Sequence, residues 1–237
     1  MKADAKPGLV LVPGLLCDAL LWKDQIGTLE GAIKCWVADH TQSTTMTGVA
    51  ADVLRDAPFE RFALAGLSMG GYVALEMVRQ ARQRVQRLAL LDTSARADTA
   101  EQLAKREGLI ALARKGRFIG VTQALLPLFV HRSRLSDKKL VDTVKEMSRN
   151  IGRDAFIRQE LAIMSRSDSL PLLPRINCPT LVLCGRQDAV APVDRHEEIA
   201  NGIPRATLKV IEECGHLSTL EHPAEVSEAL REWLLAG

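Results

Sequence analysis

What this 237-residue chain lacks narrows its roles first. No apolar run approaches the ~20 residues that a membrane-spanning helix needs, so no membrane insertion is expected. The opening Met1-Lys-Ala-Asp-Ala-Lys-Pro carries charges with no apolar core behind them, and strand-like residues begin only at Leu9. No export signal is read there, and a cytoplasmic location is expected. The five cysteines (Cys17, Cys35, Cys178, Cys184, Cys214) are odd in number and form no C-x-x-C pair. That argues against both a disulfide framework and a zinc site, and leaves small buried thiols as the simplest reading. No metal and no cofactor is expected. There is no internal repeat, no low-complexity segment and no basic-aromatic motif, so nucleic-acid binding has no support.

What remains is an ordinary globular composition, 47% hydrophobic and 25% charged. The first 94 residues alternate between short apolar runs and helical patterns. Gly8-Leu-Val-Leu-Val12 reads as a buried strand ending at Pro13-Gly14-Leu15-Leu16. A helix over 19–30, with Asp18 as a cap, leads to a second strand over 35–38, and a helix over 49–56 stops before Pro58. Further strands are read at 62–65 and 85–91, with a helix at 72–81 between them. This alternation predicts a doubly wound, mostly parallel α/β sheet. Ligand sites in such sheets lie beyond the carboxyl ends of the strands, where the turns at Pro13, Ser68 and Asp92 fall.

Residues 95–177 change character. Helical patterns appear around 98–114, 117–130, 136–149 and 153–165, punctuated by Pro127, Gly152 and the Pro171/Pro174 pair. Strand and helix then resume at 179–184, 194–201, 207–211 and 224–235, giving about six strands in all. The chain is thus read as a core, 1–94 plus 178–237, with a helical cap, 95–177, inserted over the strand ends. That insertion holds 16 Lys/Arg against 9 Asp/Glu, a net of +7, while the remainder carries −5. Solvated helix faces account for such an excess, and so does a basic lid that attracts an anionic substrate or an acidic acyl-carrier protein.

One stretch organises the rest. Gly66-Leu67-Ser68-Met69-Gly70 matches G-x-S-x-G, with a strand before it and a helix after it. A strand must reverse sharply into a helix there, and the two glycines remove the Cβ atoms that would collide as the arms close. The serine stands at the apex. A hydroxyl needs a base in hydrogen-bond reach, itself oriented by a carboxylate. Among the five histidines, His216 combines a position just past the last strand with a glycine neighbour; His40, His131, His196 and His222 lack one or the other. Asp188 follows the penultimate strand by a Gly-containing turn. Asp92, at the end of the fourth strand, is its rival, and Asp194 is a weaker one.

The order Ser68, Asp188, His216, each at a strand end, resembles the α/β-hydrolase superfamily along nearly the whole chain. Gly215-His216-Leu-Ser-Thr-Leu-Glu221-His-Pro223 resembles the histidine loop of its esterase, lactonase and carbon–carbon hydrolase branch, and Gly185-Arg-Gln-Asp188-Ala-Val-Ala-Pro192 its acid loop. The resemblance implies Ser68 as nucleophile, His216 as general base and then acid, and Asp188 as the group that orients the ring. It also implies an oxyanion hole from the Leu15 and Met69 N–H groups. Two departures stand out. Pro13-Gly14 replaces the usual His-Gly, which alters how that loop is anchored. Only about eight residues precede the first strand, so the N-terminal edge hairpin common in the fold is expected to be missing.

A serine at the elbow, where haloalkane dehalogenases and epoxide hydrolases carry aspartate, implies acyl transfer. The expected activity is hydrolysis of a small to medium carboxylic ester or lactone through an acyl-enzyme. A carbon–carbon bond hydrolase with the same triad, and a small-molecule receptor on the same fold, are the alternatives. Phe118, Leu125, Leu126, Leu128, Phe129, Ile163 and Met164 are expected to include the pocket walls, with Leu125, Leu126, Phe129 and Met164 as the substrate-side candidates. Most of them equally suit packing between cap helices.

Overall fold

The computed structural model describes residues 8–235. Six strands form one all-parallel sheet in the order β2-β1-β3-β4-β5-β6. They are β1 (Gly8–Val12), β2 (Lys34–Val37), β3 (Phe62–Leu67), β4 (Val85–Leu91), β5 (Thr180–Gly185) and β6 (Ala206–Ile211). Every residue of β1, β3 and β5 is buried, as strands covered on both faces require. The edge strands β2 and β6 are more exposed.

Strand alternation divides the core into two layers. Val10, Val12, Leu64, Leu88, Leu90 and Val182 pack against α2 (Met46–Asp56), α3 (Met69–Ala81) and α7 (Val193–Gly202). Leu9, Leu11, Leu67, Leu91, Leu181 and Leu183 face α1 (Lys23–Leu29) and the last helix, Pro223–Leu235. The start of the expected 19–30 helix is a single 3-10 turn, Ala19–Trp22, where Asp18 accepts the Leu20 N–H at 2.9 Å. The second helix begins earlier than expected because Thr45 caps it, accepting the Gly48 N–H at 3.1 Å.

Between β4 and β5 the chain is helical throughout its regular structure: α4 (Ala100–Arg114), the one-turn α5 (Leu126–Phe129) and α6 (Lys138–Met164). Thr99 and Gln102 close a capping box on α4. Gly152, at φ 72 and ψ 179, breaks α6 into the two stretches expected on either side of it. The helix expected over 117–130 shrinks to α5. Gly116 and Gly120 turn at φ 75 and 65, and the Val121 N–H goes to Ser148 Oγ at 2.9 Å rather than to a helical carbonyl. The expectation about an N-terminal edge hairpin concerns residues 1–7, outside the described residues. Among the described residues no helix is long and apolar enough to cross a membrane.

The turns after β1, β3, β4, β5 and β6 all open at one edge of the sheet. The tightest packing there is between α3 and β1, where a Cβ on Gly70 would lie 2.0 Å from Val12 O and 2.7 Å from Pro13 O. Both are backbone atoms that no rotamer change can move. Gly70→Ala is therefore expected to cost roughly 1–3 kcal/mol or more. A variant with the wild-type urea midpoint would contradict that contact.

Candidate active site

The turn from β3 into α3 sets Ser68 at φ 56 and ψ −116, a backbone region that L-residues seldom occupy. Its surroundings hold it there. The Ser68 N–H donates to Leu91 O at 2.9 Å, and Ser68 O accepts Thr93 Oγ1 at 2.8 Å and the Gly71 N–H at 2.9 Å. A Cβ on Gly66 would lie 2.1 Å from Gly70 O, so the strand and helix arms close backbone on backbone.

The other groups arrive from late in the chain. His216 Nε2 lies 2.8 Å from Ser68 Oγ, and His216 Nδ1 lies 2.8 Å from Asp188 Oδ2. His216 and Asp188 are buried, 3% and 4% exposed, while Ser68 is half-buried. The second Asp188 oxygen accepts the N–H groups of Val190 and Ala191 at 2.8 and 2.9 Å. Burial pushes the Asp188 carboxyl up, but His216 beside it and those two N–H groups outweigh burial and hold it below the usual range. Burial likewise works against a charged His216, yet the Asp188 carboxylate prevails and raises it above an ordinary histidine. With Asp188 taking the Nδ1–H, the Nε2 lone pair faces the serine.

Asp92 stands apart from this chain of contacts. Its carboxyl receives the Gly185 N–H at 3.2 Å and the Ser218 N–H at 3.3 Å, and contacts Ser218 Oγ, so it ties the acid loop to the histidine loop. Full burial and then the nearby Asp188 charge raise it well above the carboxylate range. Two carboxylates this close cannot both ionise cheaply, and Asp188 has the better partners. Of the two, Asp92 is the harder to ionise.

Several supporting residues carried no clear sequence signal. Glu221, buried, gathers the N–H groups of His131, Gly215 and Leu217 at 2.6, 3.0 and 3.3 Å. The N–H groups of His216 and Leu217 both reach Phe129 O, at 3.0 and 3.1 Å. The histidine loop is thus sewn to α5. His196, fully buried, accepts the Thr93 N–H on Nε2 at 2.8 Å and donates from Nδ1 to Pro192 O at 3.2 Å. Burial drops it to about 4, so it is a neutral brace between β4 and α7. His131 turns to Ser133 and His222 to Glu213 O, both on the surface. Asp194 opens α7 and makes an exposed pair with Arg195.

A cavity of about 360 Å³ opens over Ser68 and His216. Leu15 and Met69 line it, and neither N–H has a hydrogen-bond partner among the described residues. A larger opening of about 600 Å³ lies at the opposite edge of the sheet, beside Arg61, Arg82 and Arg205, and reaches none of these groups. The substrate-side expectations need correction. Phe129 lines the cavity, but Leu125, Leu126 and Met164 do not. Leu125 is 41% exposed on the outer face, and Leu126 is fully buried in the core. Met164 is half-buried outside the lining, one position past Ile163, which does reach the cavity. Leu128, Val144 and Met147 supply the apolar wall instead. Gln102, Lys105, Arg106 and Leu109, spaced at three and four along α4, form one edge. Arg106 is clamped by Asp98 and Glu160, each at 2.7 Å and each with a side chain 1% exposed. Among the described residues no group of His, Cys, Asp and Glu side chains is placed to hold a metal ion.

The chain as a whole resembles known proteins. The chain is 26% identical over 205 residues to a pimeloyl-[acyl-carrier protein] methyl ester esterase of Chromobacterium violaceum, covering 82% of this chain and 80% of that protein. A solved thermophilic esterase from Thermogutta terrifontis, with malate bound, is 30% identical with a TM-score of 0.87, over 96% of this chain and 89% of that one. The enol-lactonase of Burkholderia xenovorans LB400 shares the fold at a TM-score of 0.88 and 22% identity, over 99% and 93% of the two chains. A family profile described as alpha/beta hydrolase fold matches residues 44–223. With three quarters of its length matched to that profile, the chain belongs to the alpha/beta hydrolase fold family.

Proposed function

We propose that this chain hydrolyses a carboxylic ester or lactone through an acyl-enzyme on Ser68. The observation that carries the reading is the pair of 2.8 Å contacts linking Ser68 Oγ, His216 and Asp188. His216 Nε2 takes the serine proton as Oγ attacks the carbonyl carbon. The oxyanion that forms is received by the N–H groups of Leu15 and Met69, the latter opening the 13-residue α3 with its positive helix end. The imidazolium, steadied by Asp188, then gives its proton to the leaving alkoxide. Water repeats the sequence on the acyl-enzyme and restores the serine.

Residues 95–177 act here as a lid over the core formed by 1–94 and 178–237, and the protein is placed in the cytoplasm. The substrate is an amphiphile with its acyl part among Leu128, Phe129, Val144 and Met147. An anionic group on it suits Lys105, since Arg106 beside it is already paired with Asp98 and Glu160. Lys105 is held only by an exposed pair with Glu101, so its charge is available. A relative solved with malate, a dicarboxylate, supports this preference, and an acyl-carrier protein ester is a second source of the same negative charge.

Assay of p-nitrophenyl butyrate, a lactone and a β-diketone-type substrate against wild type and Ser68→Ala tests the activity. Ester turnover should fall about 10⁴-fold or more in the variant. Sole turnover of the diketone would move the assignment to carbon–carbon cleavage, and no turnover at all would leave a receptor.

Asp188→Asn should lower kcat by about 10²–10⁴-fold. Asp92→Asn, at a carboxyl that does not touch the His216 ring and is the harder of the two to ionise, should cost less than about tenfold. The reverse ranking would transfer the acid to β4.

Because His216 must be neutral to act and its pKa is raised, kcat/KM should fall as pH drops through a midpoint above the ordinary ~6.5 of histidine. Asp188→Asn should move that midpoint down. A wild-type midpoint below 6.5 would contradict the Asp188 interaction.

For a p-nitrophenyl ester with a terminal carboxylate, kcat/KM should decline with ionic strength while a neutral ester stays level. Equal responses would remove the anionic preference.

A further inference from the structure

The family's usual histidine beside the oxyanion loop is absent here, where Pro13-Gly14 stands. Something else must hold that loop, because Leu16 sits at φ 59, in the left-handed region that a leucine avoids. The loop's internal tie is the Cys17 N–H donating to Gly14 O at 3.1 Å. Its external tie comes from 143 residues away: the Leu16 N–H donates to Gln159 Oε1 at 3.2 Å. Gln159 is fully buried on α6, and its amide nitrogen lies 2.9 Å from His40 Nε2.

Burial lowers the pKa of His40 and so favours the neutral ring. With Gln159 Oε1 committed to Leu16, its NH₂ faces His40 Nε2, and the same nitrogen lies 3.0 Å from Gly14 O. The ring therefore stands against both Gln159 and the loop carbonyl.

Leu15 lies between two peptide planes, and this network fixes both. The Gly14–Leu15 plane is set by Cys17 on Gly14 O. Since N–H and C=O point oppositely across a trans peptide, the Leu15 N–H is turned the other way. The Leu15–Leu16 plane is set by Gln159. We propose that Gln159, backed by His40, is a positioning residue that aims the Leu15 N–H at the oxyanion. This inference rests on the acyl-transfer reading given above. It also gives α6 two tasks, since the neighbouring Glu160 and Ile163 line the cavity. The helix that meets the substrate is the helix that holds the donor.

A donor displaced by a fraction of an ångström loses transition-state binding while ground-state binding survives. Gln159→Met keeps the length of the side chain and removes the acceptor. With p-nitrophenyl butyrate it should lower kcat about 10–100-fold and leave KM within about threefold. An alkyl boronic acid, which forms a tetrahedral adduct on Ser68, should lose affinity by a factor similar to the fall in kcat. His40→Leu leaves the Gln159–Leu16 bond in place but removes the ring behind it and beside Gly14 O, and should shift both quantities together by a smaller factor; it carries the test if Gln159→Met does not fold.

Wild-type kcat in both variants would overturn the proposal. So would a loss of kcat with boronate affinity unchanged, or a loss that only follows the fraction of titratable Ser68. Either result in a wild type that turns over the ester sinks this inference alone. A wild type with no Ser68-dependent turnover sinks the acyl-transfer reading beneath it.

Discussion

The site depends on one backbone interlock. Ser68 can stand clear of the sheet only at a φ that costs on the order of 1–3 kcal/mol, and that conformation survives because its neighbours leave no other. β3 is central, with β1 and β4 on either side, so the strand cannot shift to relieve the turn. The Gly66–Gly70 approach closes the elbow, and the Gly70–Val12 approach presses α3 onto β1. The second contact has a consequence beyond packing. It brings the end of β1 beside the serine, so that a Cβ on Gly14 would come within 3.3 Å of Ser68 Cβ. Ser68 and the Gly14–Leu16 loop are brought together by the same missing side chains.

Two aspartates at adjacent strand ends then differ in how readily they ionise because their partners differ. Asp188 meets an imidazole and two N–H groups, all of which favour a negative charge. Asp92 has donors of its own, but it is sealed at 0% exposure beside a charge already present. Its contacts with Gly185 and Ser218 join the acid loop to the histidine loop. The more readily ionised carboxylate faces the His216 ring, and the other keeps the two loops in register.

The sheet was legible because buried parallel strands leave continuous apolar runs, and β1 begins and ends where its run, Gly8–Val12, does. The division of α6 at Gly152 was legible for the same local reason, a glycine between two periodic stretches. The 117–130 segment was not. Its fate is settled by Ser148, a residue on another helix that takes the Val121 N–H, and no periodicity within the segment reports that. Orientation was equally hidden. Leu125, Leu126, Leu128 and Phe129 are alike in a sequence, yet one faces solvent, one the core and two the cavity. Ser68, His216 and Asp188 stood out because each follows a recognisable strand. Gln159 did not, since a glutamine within a polar-rich helix carries no mark of the loop it reaches.

The helical region between β4 and β5 is bound to the catalytic loops, not merely laid over them. Phe129 O and Glu221 join α5 to the histidine loop, and Gln159 joins α6 to the loop after β1. Buried hydrogen bonds of this kind cost their full desolvation when broken without replacement, roughly 1–3 kcal/mol each. Lifting the whole region away would expose several at once and would free the Gly14–Leu16 loop and the His216 loop together. The exposed lining residues lie elsewhere: Leu109, Leu128 and Val190 are 44–47% exposed and rim the cavity beside Lys105. Passage between α4 and the acid loop leaves every one of those ties intact, which makes that rim the route compatible with a site that stays assembled between turnovers.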